Sequence, residues 1–229
     1  MRFVPIVTKI ESQKKSKDRF NIYLDGVYSF PLPADVVVKY RLKVGDAIEG
    51  SQIPQILADG LADTIYAKVL NFVSYQPRTE KEVKTKASSL LDKLTTSDSE
   101  IVADESKVQD VVVDKLKSAG LLDDVSYARQ YIGTARNSRY PTSRKKIKMF
   151  LLKKGISKEV IEEYLNEETF SFDDEIKTAR KLFDKKVATL KTAGKALDSK
   201  SKAKIWRFML GKGYAPEVIS ALFDTIPQV

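Results

Sequence analysis

Nine basic side chains lie between Ala135 and Lys158, with no acid among them: Arg136, Arg139, Arg144, Lys145, Lys146, Lys148, Lys153, Lys154 and Lys158. A second run, from Lys177 to Lys212, holds twelve basic residues, including Lys202, Lys204, Arg207 and Lys212, against Asp184 and Asp198. By contrast, Asp92 to Asp124 holds nine acids and four lysines. Guanidinium and ammonium groups gathered in this way can bind phosphates or carboxylates. An ordinary solvated face is the commoner fate of a charge run, but a surface built for solubility alone intersperses both signs. Arg136, Arg139 and Tyr140 stand together near Pro141, and an aromatic among arginines suits stacked bases. Tyr140 covering a core is the plainer alternative.

What the chain lacks narrows the chemistry further. It has no histidine and no cysteine, so Ser-His-Asp and Cys-His nucleophile systems are excluded, as are zinc sites built on those residues. Neither of the common glycine-rich phosphate loops occurs. Carboxylate chemistry with magnesium remains open, but the acids form no recognisable metal motif. We therefore expect no catalytic residues, no metal and no cofactor. A net charge of +9 and a pI of about 9.4 favour polyanionic partners. Without cysteine there is no disulfide to suggest secretion. Met1 to Pro5 does not read as a signal peptide, and no apolar run approaches the roughly 18 residues of a membrane span. A cytoplasmic protein is the default expectation.

The elements that must carry these charges can be read from periodicity. Residues 1–50 read as β. Ile6, Thr8 and Ile10 alternate with polar neighbours, and Phe20, Ile22 and Leu24 do so after Lys14-Lys15-Ser16-Lys17. Asp25-Gly26 between β-prone runs signals a hairpin, with Tyr28 and Phe30 on its far side and Pro31 and Pro33 ending the second arm. Asp35 to Leu42 can form one short helix. From Ser51 the period is helical: Ala62, Ile65, Tyr66, Val69, Leu70 and Val73 mark one apolar face. Pro77 ends that helix, and Thr79 with Glu82 forms a capping signal for the next. Thr95 to Ser99 reads as a loop.

The C-terminal half repeats itself at an offset of 58 residues, since Ile147, Phe150 and Leu151 fall on Ile205, Phe208 and Met209. Lys154-Gly155-Ile156 falls on Lys212-Gly213-Tyr214, and Glu159-Val160-Ile161 on Glu217-Val218-Ile219. In each copy a helix with an inward stripe ends at a glycine able to take left-handed φ, and the next helix begins at once. Pro216 fits the first turn of its helix. A preceding helix completes each unit, through Tyr127, Ala128, Tyr131, Ile132 and Ala135 in one copy and Ile176, Ala179, Leu182 and Phe183 in the other. Tyr66-Ala67 resembles Tyr127-Ala128, which suggests a degenerate copy upstream. The expected organisation is mainly α: a β-rich module with a short helix over 1–60, then tandem three-helix units over 61–122, 123–168 and 169–229. Trp206 takes the place of Lys148 in the repeat, at the core edge.

These residues together resemble the RecX family. Leu121-Leu122-Asp123-Asp124, followed by Tyr127-Ala128, is similar to the family's signature. Lys154-Gly155-Ile156 with Val160-Ile161 resembles a second element, and Arg78-Thr79-Glu80 through Val83 resembles a helix start. The segment from Phe20 to Phe30 looks like the β-extension of Gram-positive members. The family usually has Gly-Pro where this chain has Ser143-Arg144, and often Glu at the place of Phe150. The resemblance implies a non-catalytic regulator of the RecA recombinase. It would bind the RecA–DNA filament, restrain its ATPase and strand exchange, and bind single- and double-stranded DNA more weakly. It also implies tandem three-helix repeats, and we expect a monomer with no membrane partner. The expected contact residues are Arg136, Arg139, Arg144, Lys145, Lys148, Lys153, Lys154, Lys202, Lys204, Arg207 and Lys212. Leu122, Asp123, Asp124, Tyr127, Ala128, Ile147, Leu151, Gly155, Ile156 and Gly213 are expected to be mostly structural. A stand-alone DNA-binding protein is the alternative, with a magnesium nuclease a distant third.

Overall fold

The computed structural model describes residues 4–14, 16–95, 104–137, 142–192 and 198–225. Two compact units divide the chain, Met1–Asp123 and Asp124–Val229. The first opens with an antiparallel sheet of three strands in sequence order, β1 (Val7–Gln13), β2 (Ser16–Leu24) and β3 (Val27–Pro33). Asp25 and Gly26 join β2 to β3 with φ of 50° and 84°, as a type I′ hairpin turn requires.

The alternation expected in β1 is shifted. Val7 is the fully buried residue, and Ile6 is 45% exposed. A register irregularity between Val7 and Lys9 is the cause, because an extra residue in one strand exchanges the faces of the sheet. Thr8 lies at that irregularity, where its hydroxyl accepts from Gly26 N–H at 2.9 Å and donates to the Tyr23 carbonyl at 3.2 Å. Of the two prolines expected to end the second arm, Pro31 lies within β3 and Pro33 is its last residue. As an edge strand β3 can carry prolines whose missing N–H points away from the ladder. The short helix is α1 (Ala34–Lys39). Ala47 then forms an isolated antiparallel bridge to Ile6.

Helix α2 (Ile53–Ser74) crosses the boundary expected at residue 60. Its first turns bury Ile56 and Leu57 with Val7, Ile22, Phe30 and Leu32 of the sheet. Its later turns bury Ala62, Ile65 and Val69 with α3 (Glu80–Thr95) and α4 (Glu105–Ser118), through Val83, Ala87, Val112 and Leu116. Gly60 permits the close approach to β3, since a Cβ there would meet Leu32 Cδ2 at 2.8 Å. Asp59 is buried in the same stretch, where it accepts from Lys39 Nζ at 2.5 Å and Tyr40 Oη at 2.8 Å. The capping box of α3 forms: Thr79 N–H donates to Glu82 at 3.2 Å, and Glu82 N–H donates to Thr79 Oγ1 at 3.4 Å. The suggested likeness of Tyr66-Ala67 to Tyr127-Ala128 does not hold in detail. Ala67 is exposed whereas Ala128 is fully buried.

The second unit holds α5 (Asp124–Asn137), α6 (Arg144–Lys153), α7 (Lys158–Tyr164), α8 (Phe172–Thr192), α9 (Ser199–Gly211) and α10 (Pro216–Asp224). Two separate cores form. Ala128, Ile132, Ile147, Leu151, Ile156 and Ile161 build one. Ala179, Phe183, Ile205, Met209, Val218 and Leu222 build the other. The stripes of α6 and α9 therefore face equivalent cores, as the repeat demands. Gly155 and Gly213, following the two helices, have φ of 90° and 86°. Trp206 is half-buried and stacks on Phe223 at 6.1 Å, while Phe150 stacks on Tyr131 at 4.2 Å.

Burial pushes the phenol pKa of Tyr40 up to about 12, and the hydrogen bond to Asp59 adds to this. Burial likewise pushes Tyr214 up to about 12. Both groups keep their protons when folded at a pH where an unfolded tyrosine, near 10.0, has lost its own. Their contribution to stability is thus complete below pH 10 and lost as pH rises to about 12. In an alkaline titration followed by phenolate absorbance, we expect these two to ionise after the exposed tyrosines, with loss of helical circular dichroism. Ionisation of every tyrosine in one step near pH 10, with the helix signal intact, would contradict this placement.

Candidate partner-binding surface

The expected contact residues divide into two groups. Arg136 and Arg144 make internal contacts. From the last turn of α5, Arg136 donates to the Thr169 carbonyl at 2.7 Å, pairs with Asp174 at 3.4 Å and lies over the Phe170 ring at 5.0 Å. Its guanidinium thus ties α5 to the start of α8. Arg144 Nε donates to the Leu165 carbonyl at 3.2 Å, and its NH1 pairs with Glu167. Neither group is simply displayed to solvent. Asp174 is held below the usual carboxylate range first by the Ser171 hydroxyl, with Arg136 contributing. Arg139, Tyr140 and Pro141 lie outside the described residues.

Most of the lysines are exposed. Lys145 and Lys148 are exposed on α6, Lys148 with Glu162 3.4 Å away. Lys153 is exposed at the end of that helix, and Lys154 lies over Phe150 at 5.5 Å. On α9, Lys202, Lys204 and Arg207 are exposed opposite the buried Ser201, Ile205 and Met209. Lys212 is exposed and lies over Phe208 at 5.5 Å. Between these cations sit exposed apolar side chains, Met149 at 60% and Leu152 on α6 and Leu210 on α9. Leu152 and Leu210 occupy the same place in the repeat.

The family-motif positions prove largely internal. Leu122 is buried in the core of the first unit. Ala128, Ile147, Leu151 and Ile156 are buried in the second, with Tyr127 packed against them. Asp124 stands in the first turn of α5, where a carboxylate favours the helix dipole. Asp123 is exposed just before it.

Sequence reasoning missed what Ser143 does. It caps α6 by accepting from Lys146 N–H at 3.4 Å, and its hydroxyl also donates to the Lys212 carbonyl at 2.9 Å. Glu175 of α8 accepts from Arg144 N–H at 3.3 Å, and burial holds its carboxyl above the ordinary value. These contacts join the two bundles of the second unit at the start of α6. The signal available was the replacement of Gly-Pro by Ser143-Arg144.

No described helix is long and apolar enough to cross a membrane. Among the described residues, no group of three or more acids is placed to hold a metal ion. The whole is a small antiparallel sheet leading into tandem helical bundles with a cationic surface. Family models match in three places: the RecX N-terminal domain over residues 5–49, the second RecX three-helix domain over 123–165 and the third over 173–223. The chain is similar to the regulatory protein RecX of Clostridium beijerinckii, 31% identical across 97% of this chain and 96% of that protein. It is 33% identical to that of Bacillus subtilis, across 97% of this chain and 78% of that one. A crystal structure of regulatory protein RecX superposes with a TM-score of 0.65 at 27% identity, covering 96% of this chain and all of that one. The chain belongs to the RecX family of regulatory proteins.

Proposed function

We propose that this protein regulates the RecA recombinase without catalysing a reaction itself, binding the RecA–DNA filament in the cytoplasm and restraining its ATPase and strand exchange. The sheet, α1 and the first turns of α2 would form the leading module, with three successive helical bundles after it presented to the filament. What supports this reading most is the likeness along 97% of the chain to proteins named as regulators. The outward lysines of α6 and α9, interleaved with Met149, Leu152 and Leu210, suit a protein–DNA surface. Ammonium groups hold phosphate or acidic side chains, and the apolar side chains give a protein partner something to cover.

The test is RecA ATPase on single-stranded DNA, with this protein titrated from sub-stoichiometric to equal amounts at two salt concentrations. We expect inhibition well below one protein per RecA. Lys145→Glu with Lys148→Glu should raise the concentration for half-inhibition roughly tenfold, about 1.4 kcal/mol. Arg144 is left intact because its internal partners would confound the result. Unchanged ATPase, alongside tight binding to naked DNA with a log–log salt slope near about −0.9 per phosphate, would favour the stand-alone DNA-binding alternative.

A further inference from the structure

Lys145, Lys148, Met149 and Leu152 share one face of α6, at spacings of three and four residues. Lys145 and Lys148 also line a groove of about 570 Å3 between α6 and the turn from α9 to α10. Leu210, Ala215 and Pro216 line it from the third bundle, and all three are exposed. Met149 and Leu152, exposed as well, carry the apolar surface on along α6.

The chain as a whole carries a net charge of +9, yet the cations at this groove stand among carboxylates. Arg144 pairs with Glu167, and Lys148 with Glu162 at 3.4 Å. Glu175, which also lines the groove, accepts from the Arg144 N–H at 3.3 Å. Among the described residues, Lys145 makes no ion pair. A phosphate strand entering here would meet Glu162, Glu167 and Glu175, and its charge would gain nothing from Leu210, Ala215 and Pro216. A protein segment would gain from both kinds of surface. Its apolar side chains displace water from the exposed wall, and a carboxylate beside them reaches Lys145.

We propose that this groove receives a segment of a protein partner, which inserts a bulky apolar side chain against Leu210 and places a carboxylate at Lys145. Leu210 is then the anchor contact. Met149 and Leu152 form the surrounding contacts that keep water from it, as around the few residues that dominate a protein interface. The inference rests on the reading of this chain as a regulator that binds a protein–DNA filament. It assigns this part of the surface to the protein and not to the DNA.

The test is biolayer interferometry of the full chain on RecA filaments, assembled on a single-stranded oligonucleotide with a non-hydrolysable ATP analogue, and on the same oligonucleotide bare. Leu210→Ser should weaken filament binding about tenfold and change binding to bare DNA by less than about twofold. Leu210→Met, which keeps an apolar side chain there, should bind filaments as the parent does. Phe172→Ser removes an exposed apolar side chain outside the groove, and should change either affinity by less than about twofold. Circular dichroism checks that the variants fold. Equal weakening on filament and bare DNA by Leu210→Ser would overturn the proposal in favour of a nucleic-acid groove. Full filament affinity in Leu210→Ser would also overturn it, and would leave the functional reading standing. A parent chain that binds filaments no more tightly than bare DNA would sink the functional reading itself, and this inference with it.

Discussion

Gly213→Ala is expected to destabilise the second unit by about 2–5 kcal/mol, whereas Gly120→Ala destabilises the first by only about 1–2 kcal/mol. Both glycines have positive φ, 86° and 68°, so both variants carry the left-handed penalty. Space separates them. A Cβ at Gly120 would meet nothing within 4 Å, while one at Gly213 would lie 2.6 Å from Ser143 Oγ and 3.0 Å from Lys146 Cγ. The Lys146 stem is flexible and can yield. Ser143 cannot yield cheaply, because the same hydroxyl caps α6 and donates to the Lys212 carbonyl. The chain's one tryptophan, Trp206, lies in the second unit, so its fluorescence in urea reports that unit alone while circular dichroism reports both. Ser143→Ala combined with Gly213→Ala should recover part of the loss, since it removes the obstructing oxygen. Equal destabilisation by Gly213→Ala and Gly120→Ala would show that the joint relaxes freely.

Asp59→Ala should cost the first unit about 2–3 kcal/mol, with no change in the tryptophan signal. The carboxylate is buried, and it accepts from Lys39, Tyr40 and, at 3.4 Å, Gln55. Removing it leaves the half-buried Tyr40 hydroxyl without its acceptor. The Lys39 side chain, 60% exposed, returns to water at little cost. Tyr40→Phe should therefore cost about 1 kcal/mol, and Lys39→Ala less than that. These three residues fasten α1 to α2, so the loss should appear as one cooperative transition of sheet and helices together. A loss at Lys39→Ala as large as at Asp59→Ala would make the ion pair the dominant contact.

The sequence disclosed whatever was local or periodic. The Asp25-Gly26 turn, the Thr79–Glu82 box, the stripes of α6 and α9 and the glycines after them all announce themselves within a few residues. Contacts between distant segments did not. Arg144 counted as one more outward charge because Leu165 and Glu167 lie more than twenty residues away in sequence. Asp59 looked like an ordinary polar position because its partners come from the preceding helix. The faces of β1 are not legible because a bulge leaves no mark in composition, whereas the end of β3 at Pro33 is legible. The contact surface was legible as a density of charge. Which cations are occupied by the fold itself depends on acids brought near only by packing.

The dual role of Ser143 bears on how such an array could be rebuilt. Its counterpart one repeat later is Ser201, which is buried inside α9, a helix capped three residues earlier by Asp198. The hydroxyl of Ser143 therefore reaches from the second bundle to the Lys212 carbonyl beside Gly213 of the third, whereas the serine at the corresponding place in the third, Ser201, lies buried within α9. Repeats alike in their cores are thus polar in their joints, like links with a hook at one end and an eye at the other. A designer who exchanged the two bundles, or inserted a further copy of residues 169–229, would keep every core intact and still lose the fastening between neighbours.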